Sequence, residues 1–99
     1  MELKTGSIES AEDHPDADNL YVLHVDDGSD SGRTICAGLK PFYSTSEMTG
    51  MTIVFVANLK PRKLRGILSE GMLLAAEDDE GNVRLVTVHG DISPGSSVH

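Results

Sequence analysis

Long apolar runs, cysteine pairs and tryptophan are all missing from this 99-residue chain, and each absence removes a class of protein. No run approaches the roughly 18 apolar residues of a membrane-spanning helix, and Met1-Glu2-Leu3-Lys4 opens no apolar leader, so neither a span nor a secretory signal is expected. The expected compartment is the cytoplasm. The single cysteine, Cys36, excludes an intramolecular disulfide and a cysteine-rich zinc module. Its strand-like neighbours make it a small core thiol in expectation, not a nucleophile. With two Phe and two Tyr, the core must come mainly from Val, Leu, Ile and Met. A chain this short encloses one such core, so a single domain over 1–99 is expected.

Positive charge is scarce as well. Eight Lys and Arg stand against 16 Asp and Glu, a formal net charge of −8, and the field of the whole molecule therefore repels polyanions and anionic membranes at long range. Any polyanion contact must be local, which screening over roughly 8 Å at physiological salt permits. The sequence has one such locality. Lys60, Arg62, Lys63 and Arg65 fall within six consecutive positions, and no carboxylate occurs between Glu47 and Glu70.

The framework around that island reads as β-structure. Leu3 to Ala11 suits a long, bent strand with a bulge at Gly6-Ser7. Glu12 to Asn19 is dense in turn formers and reads as an exposed loop. Leu20 to Val25 alternates, with Tyr21, Leu23 and Val25 on one side, and Arg33 to Ala37 returns as its hairpin partner. Ser44-Thr45-Ser46-Glu47 offers a hydroxyl cap followed by an acid, predicting a short helix ended by Gly50. Thr52 to Ala57 is a β-branched central strand stopped before Pro61. Beyond the island, Met72 to Ala76 reads as a buried strand, and Val83, Leu85, Val86 and Val88 as its returning partner across an Asp78-to-Asn82 turn. The tail from Gly90 reads as loop. Five or six short strands with one helix between the third and fourth point to an all-β, oligonucleotide-binding (OB-fold) barrel.

Four blocks then carry a family likeness: His14-Pro15-Asp16-Ala17-Asp18-Asn19-Leu20, Ala37-Gly38-Leu39-Lys40-Pro41-Phe42-Tyr43, Val56 to Gly66, and Ser69-Glu70-Gly71-Met72-Leu73-Leu74-Ala75. Together they resemble the tRNA-binding domain found at the C-terminus of many methionyl-tRNA synthetases. Free-standing structure-specific tRNA-binding proteins, the yeast-type synthetase cofactor, the endothelial-monocyte-activating polypeptide and a bacterial secretion chaperone share it. The resemblance covers almost the whole chain. It implies a five-stranded OB barrel that grips tRNA by shape near its outer corner and has no catalytic activity. It also implies that RNA is bound by Lys60, Lys63 and Arg65, then Ser69 and Met72, with Asn58 beside them and Arg62 adding charge. Lys40, Phe42 and Tyr43 are candidates to extend that face, because aromatics on such barrels stack bases.

The chemistry of these residue types suits RNA binding. Arginine offers a planar fork and lysine a mobile point charge to phosphate oxygens, and neither reads sequence that way. Folded RNA is recognised through phosphates, 2′-hydroxyls and unstacked bases. Ser69 fits either an RNA oxygen or its own turn backbone, and Met72 either a base or the core. The partners implied are tRNA and a methionyl-tRNA synthetase catalytic domain, this chain being its C-terminal domain or beta subunit. Two departures from the family, the almost immediate first strand and the strong acidity, favour an appended domain over an independent binder and leave a homodimer open. The alternative is a protein-interaction module, as a dimeric secretion-chaperone-like protein or a docking domain of a synthetase complex. No catalytic, cofactor or metal site is expected: Asp13, Asp16 and Asp18 lack the glycine and glutamate of a calcium loop, and His14, His24 and His89 lack zinc spacing.

Overall fold

Strand β1 (Leu3–Asp13) is long enough to serve two neighbours, and the barrel follows from that. Its first half pairs antiparallel with β4 (Thr52–Val56), from Leu3 opposite Val56 to Ser7 opposite Thr52. Its second half pairs with β2 (Tyr21–Asp26), from Ser7 opposite Asp26 to Asp13 opposite Tyr21. The change of partner needs a bend. The computed structural model, which describes residues 1–99, places it at a bulge between Ile8 and Ser10, so Glu9 is the extra residue. This corrects the bulge expected at Gly6-Ser7. Gly6 instead allows a close approach. A Cβ there would come within 2.7 Å of Val25 Cγ1 and 3.1 Å of Phe55, so its hydrogen lets two core side chains close in.

The remaining strands extend this sheet in the order β3-β2-β1-β4-β7, with β3 at Arg33–Ala37 and β7 at Met72–Leu73. The two ends of that path approach one another, which nearly closes the sheet into an OB-like barrel. Helix α1 (Thr45–Met48) lies between β3 and β4 as the sequence indicates. It starts at a capping box: Ser44 Oγ accepts the Glu47 N–H, and the Glu47 carboxylate accepts the Ser44 N–H. Hydrogen bonding to the Ser44 N–H, and then to the Ser44 side chain, holds the Glu47 carboxyl below its usual range. The short helix delivers Met48 to the barrel interior, where it packs with Ile8, Tyr21, Leu23, Val25, Ile35, Leu39, Ile53, Phe55 and Leu85. No helix is long and apolar enough to cross a membrane.

Three further expectations change. Met72 to Ala76 is not one buried strand. The barrel strand ends at Leu73, and Ala75 and Ala76 leave the sheet, exposed, in β8 (Ala75–Glu77), which pairs with β9 (Val83–Leu85). Leu74 makes the join, its N–H donating to Val54 O while its carbonyl accepts from Val86 N–H. The return strand correspondingly stops at Leu85, short of Val86 and Val88. The tail is more than loop: β10 (Ser97–Val98) pairs with Leu3 and Lys4, and buried Thr5 exchanges backbone and hydroxyl hydrogen bonds with Ser93, Gly95 and Ser96. Buried polar groups need such partners, and the small polar tail supplies them.

Candidate nucleic-acid interface

The basic island is folded as a hairpin, not a loop. Strands β5 (Arg62–Leu64) and β6 (Ile67–Ser69) pair with Leu64 opposite Ile67, leaving Arg65 and Gly66 as a two-residue turn. Both take positive φ, 50° and 90°, as a type I′ hairpin turn requires. Glycine adopts that conformation readily. Arg65 is the one non-glycine residue with positive φ in the chain, so the turn holds a charged side chain at its tip against a local backbone preference.

The hairpin is rooted on the seam where the barrel closes. Arg33, at the start of β3, donates from Nη1 to Ala57 O at 3.2 Å and to Glu70 O at 2.9 Å. Those carbonyls stand immediately before and after residues 58–69, so one guanidinium holds both feet of the basic segment. Arg33 is itself fixed from two sides, by Asp27 Oδ2 at 2.9 Å from Nε and by the Phe55 ring, 4.7 Å below its guanidinium carbon. Burial alone would raise the Asp27 carboxyl. Hydrogen bonds from the Ser29 side chain, from Arg33 and from the Ser29 N–H outweigh it, together with the Arg33 charge, and bring it down to about 2.

Further bonds dock the hairpin along its length. Glu70 N–H donates to Thr34 O at 2.7 Å while the Glu70 carboxylate accepts the Thr34 N–H. Ser69, 6 % exposed, accepts the Cys36 N–H at 3.0 Å and donates to Gly71 O. Its hydroxyl is thus a latch between β6 and β3. On the other side His14 accepts the Asp16 N–H at Nδ1, which leaves Nε2 as the protonated nitrogen, donating to Leu64 O at 2.9 Å. The segment 12–19, expected as an exposed loop, instead gives Glu12 and Asp13 to β1, and His14, only 4 % exposed, is a buried pin in what remains of it.

What this scaffold presents is charge without partners. Lys60, Arg62, Lys63 and Arg65 are all exposed, and none makes an ion pair or a side-chain hydrogen bond. By contrast Lys4, Arg33 and Lys40 each face a carboxylate. Asn58 starts the segment with its Oδ1 accepting the Glu2 N–H at 2.8 Å, an orientation that leaves its amide hydrogens free. Two depressions flank the hairpin: one of about 510 Å³ between Asp18-Asn19-Leu20 and Lys63-Leu64-Arg65, and one of about 110 Å³ that brings Lys60, Arg62, Ser69 and Met72 together. Met72 is 57 % exposed, pointing away from the core that its neighbour Leu73 packs against.

The suggested extension is not gathered here. Lys40, Phe42 and Tyr43 line neither depression. Tyr43 packs against the core, its hydroxyl accepting the Leu85 N–H and its carbonyl accepting the Tyr21 hydroxyl. Lys40 lies over the Tyr21 ring and pairs with Asp13 at 3.5 Å. Sequence reading missed His14, Arg33 and Cys36. Cys36 is buried, but it lies outside the core cluster, on the floor of the smaller depression beneath the hairpin, where burial pushes its thiol pKa up. Nowhere do three His, Cys, Asp or Glu side chains converge as a metal site would need.

Comparison with known proteins agrees with this architecture. The family model "Putative tRNA binding domain" matches residues 3–97. The methionine--tRNA ligase of Methanocaldococcus jannaschii is 49 % identical over 98 residues, which is 99 % of this chain and 15 % of that protein. The chain therefore spans about a seventh of that relative's length. Among solved structures, the MetRS related protein from Pyrococcus horikoshii is similar with a TM-score of 0.90 and 36 % identity, over 99 % of this chain and 89 % of that one. The CsaA chaperone protein from Picrophilus torridus is similar with a TM-score of 0.87 and 26 % identity, over 99 % and 91 %. The chain belongs to the family of tRNA-binding domains.

Proposed function

We propose that this chain is a non-catalytic RNA-binding domain whose basic hairpin grips the phosphate backbone of tRNA by shape. The observation that carries this reading is the four unpaired cations of one segment, Arg62, Lys63 and Arg65 on the hairpin and Lys60 just before it, held on a protein that is otherwise acidic. Lys60, Arg62, Lys63 and Arg65 contact phosphates, and Asn58 offers its amide to a phosphate or ribose oxygen. Met72 adds an apolar contact, while Ser69 acts by latching the hairpin to β3. Specificity for tRNA then resides in the spacing of phosphates across a folded corner and not in a base code. Residues 1–99 form one domain, acting in the cytoplasm as the C-terminal domain or beta subunit of a methionyl-tRNA synthetase and aiding tRNA capture. The methionine--tRNA ligase relatives support that context.

Titration of tRNA and of a plain RNA duplex at several salt concentrations tests the reading. Three or four engaged phosphates give a log-affinity slope on the order of −2 to −4 against log salt, with tRNA bound more tightly than the duplex. A flat salt response or equal affinity for the two RNAs overturns it.

A second reading is favoured by the likeness to the CsaA chaperone protein. Here the domain engages polypeptides, as a homodimer or a docking module, through exposed apolar residues such as Leu68, Val86 and Ile92. Pull-down that recovers polypeptide and no RNA supports it; light scattering that gives a strict monomer removes its dimeric form.

A further inference from the structure

The smaller depression beside the hairpin differs in character from the charged strip next to it. Its floor is the buried Cys36, held in place through its N–H by Ser69, and its walls are Leu59, Leu64 and Met72. Two of those walls are large apolar side chains left open to solvent: Leu59 is 41 % and Met72 57 % exposed. Lys60 and Arg62 stand at its rim with no carboxylate opposite them. An apolar slot with free cations at its mouth fits a ligand that is flat and uncharged at one end and anionic on both flanks.

We propose that this slot receives one unstacked nucleobase of a bound RNA, with the neighbouring phosphates held by Lys60 and Arg62. The inference rests on the RNA-binding reading and adds a base contact to what is otherwise a grip on the backbone. Its physical basis is threefold. Unstacked bases bring a π face that packs on guanidinium planes, which Arg62 supplies. The thioether of Met72 is polarisable and makes favourable contacts with aromatic rings. At about 110 Å³ the slot is far smaller than the roughly 300–1,000 Å³ sites of drug-sized ligands, so it admits a ring while sugar and phosphate stay outside. The raised thiol pKa keeps Cys36 a neutral, apolar floor near pH 7. A duplex without unpaired residues has no base to offer, and the slot therefore favours RNAs with an exposed loop or bulge nucleotide.

Methionine-methyl NMR of the 99-residue chain tests the proposal, with tRNA and a blunt, fully paired RNA duplex as probes. Met48, sealed in the core, serves as the internal reference. The expected result is that tRNA moves the Met72 methyl resonance upfield by ring current, that the duplex does not, and that Met48 stays put. In parallel, Met72→Ala, a change at an exposed side chain, should weaken tRNA binding by about tenfold with the salt slope unchanged, because it removes a contact and no charge. Leu59→Ala should act in the same direction. If tRNA binds with its full salt slope while the Met72 methyl is unmoved, the slot is not a base site and the backbone grip stands alone. A Met72 shift of equal size with the blunt duplex, or one produced by an apolar peptide and not by RNA, also overturns the proposal. Failure of tRNA to bind at low salt removes the RNA-binding reading itself.

Discussion

Two short hairpins leave the barrel sheet, and they use charge in opposite ways. The β8–β9 hairpin carries Glu77, Asp78, Asp79 and Glu80, and one of these acids, Asp78, works on its own turn. Asp78 accepts the N–H groups of Glu80 and Asn82 and the Asn82 side-chain amide, and the Asn82 bonds hold its carboxyl below the usual range. The β5–β6 hairpin is turned by backbone conformation at Arg65 and Gly66, and it is held to the barrel by Arg33 and His14 and through its own Ser69, which accepts the Cys36 N–H. Its cations are left with nothing to do within the protein. The acidic hairpin uses one carboxylate, Asp78, to build its own turn, whereas the basic hairpin is fixed without its cations' side chains and leaves them exposed.

The largest expected effect breaks the external fixing. Arg33→Met removes the bonds to both feet of the basic segment and leaves the Asp27 carboxylate, 8 % exposed at its side chain, without its partner. A loss on the order of 1–3 kcal/mol of stability is expected by denaturant titration, since removing one side of a part-buried pair leaves the other charge without its partner. The folded fraction should also bind tRNA with a shallower salt slope than wild type, although no cation of the hairpin has been changed. A wild-type slope would mean that Arg33 supports the barrel and not the geometry of the site.

A smaller effect comes from titrating the same pair. The Asp27 carboxyl sits at about 2 in the folded protein against an ordinary 3.8, so the folded state holds fewer protons across that interval. Its stabilising contribution is complete above 3.8 and is lost as pH falls through about 2. Denaturant midpoints measured across this window should decline with falling pH, and Asp27→Asn should lessen the decline. The smallest effect belongs to the acidic hairpin. Asp78→Ala loosens a solvent-exposed turn and should leave tRNA affinity at its wild-type value, which a single binding titration checks; a clear change would place the acidic hairpin in the interface.

How much of this could be read from the sequence follows from the range of the interactions. Local signals were legible: Tyr21, Leu23 and Val25 mark the core face of a strand, and Ser44 with Glu47 marks a helix start. The cluster of cations was visible by counting. Their fixing was not, because Arg33 reaches carbonyls 24 and 37 positions away, and an arginine opening a strand carries no mark of what it will clamp. His14 sits among turn formers, so nothing in its neighbours signals burial; its acceptor, Leu64 O, lies 50 positions on. Cys36 and Ile35 are both buried because the hairpin covers the outer face of β3, a tertiary event that erases strand alternation. Met72 to Ala76 failed for the converse reason: an apolar run says nothing of where a chain leaves its sheet.

The central claim is that the unpaired cations of the pinned hairpin engage tRNA phosphates. It is tested most directly by the salt dependence of tRNA binding in wild type and Arg65→Asn. Asparagine tolerates the positive φ of the turn, so the substitution removes one charge and keeps the hairpin. The account predicts a slope shallower by about 0.7–0.9, one phosphate contact, with weaker binding at every salt concentration. An unchanged slope and affinity would contradict it.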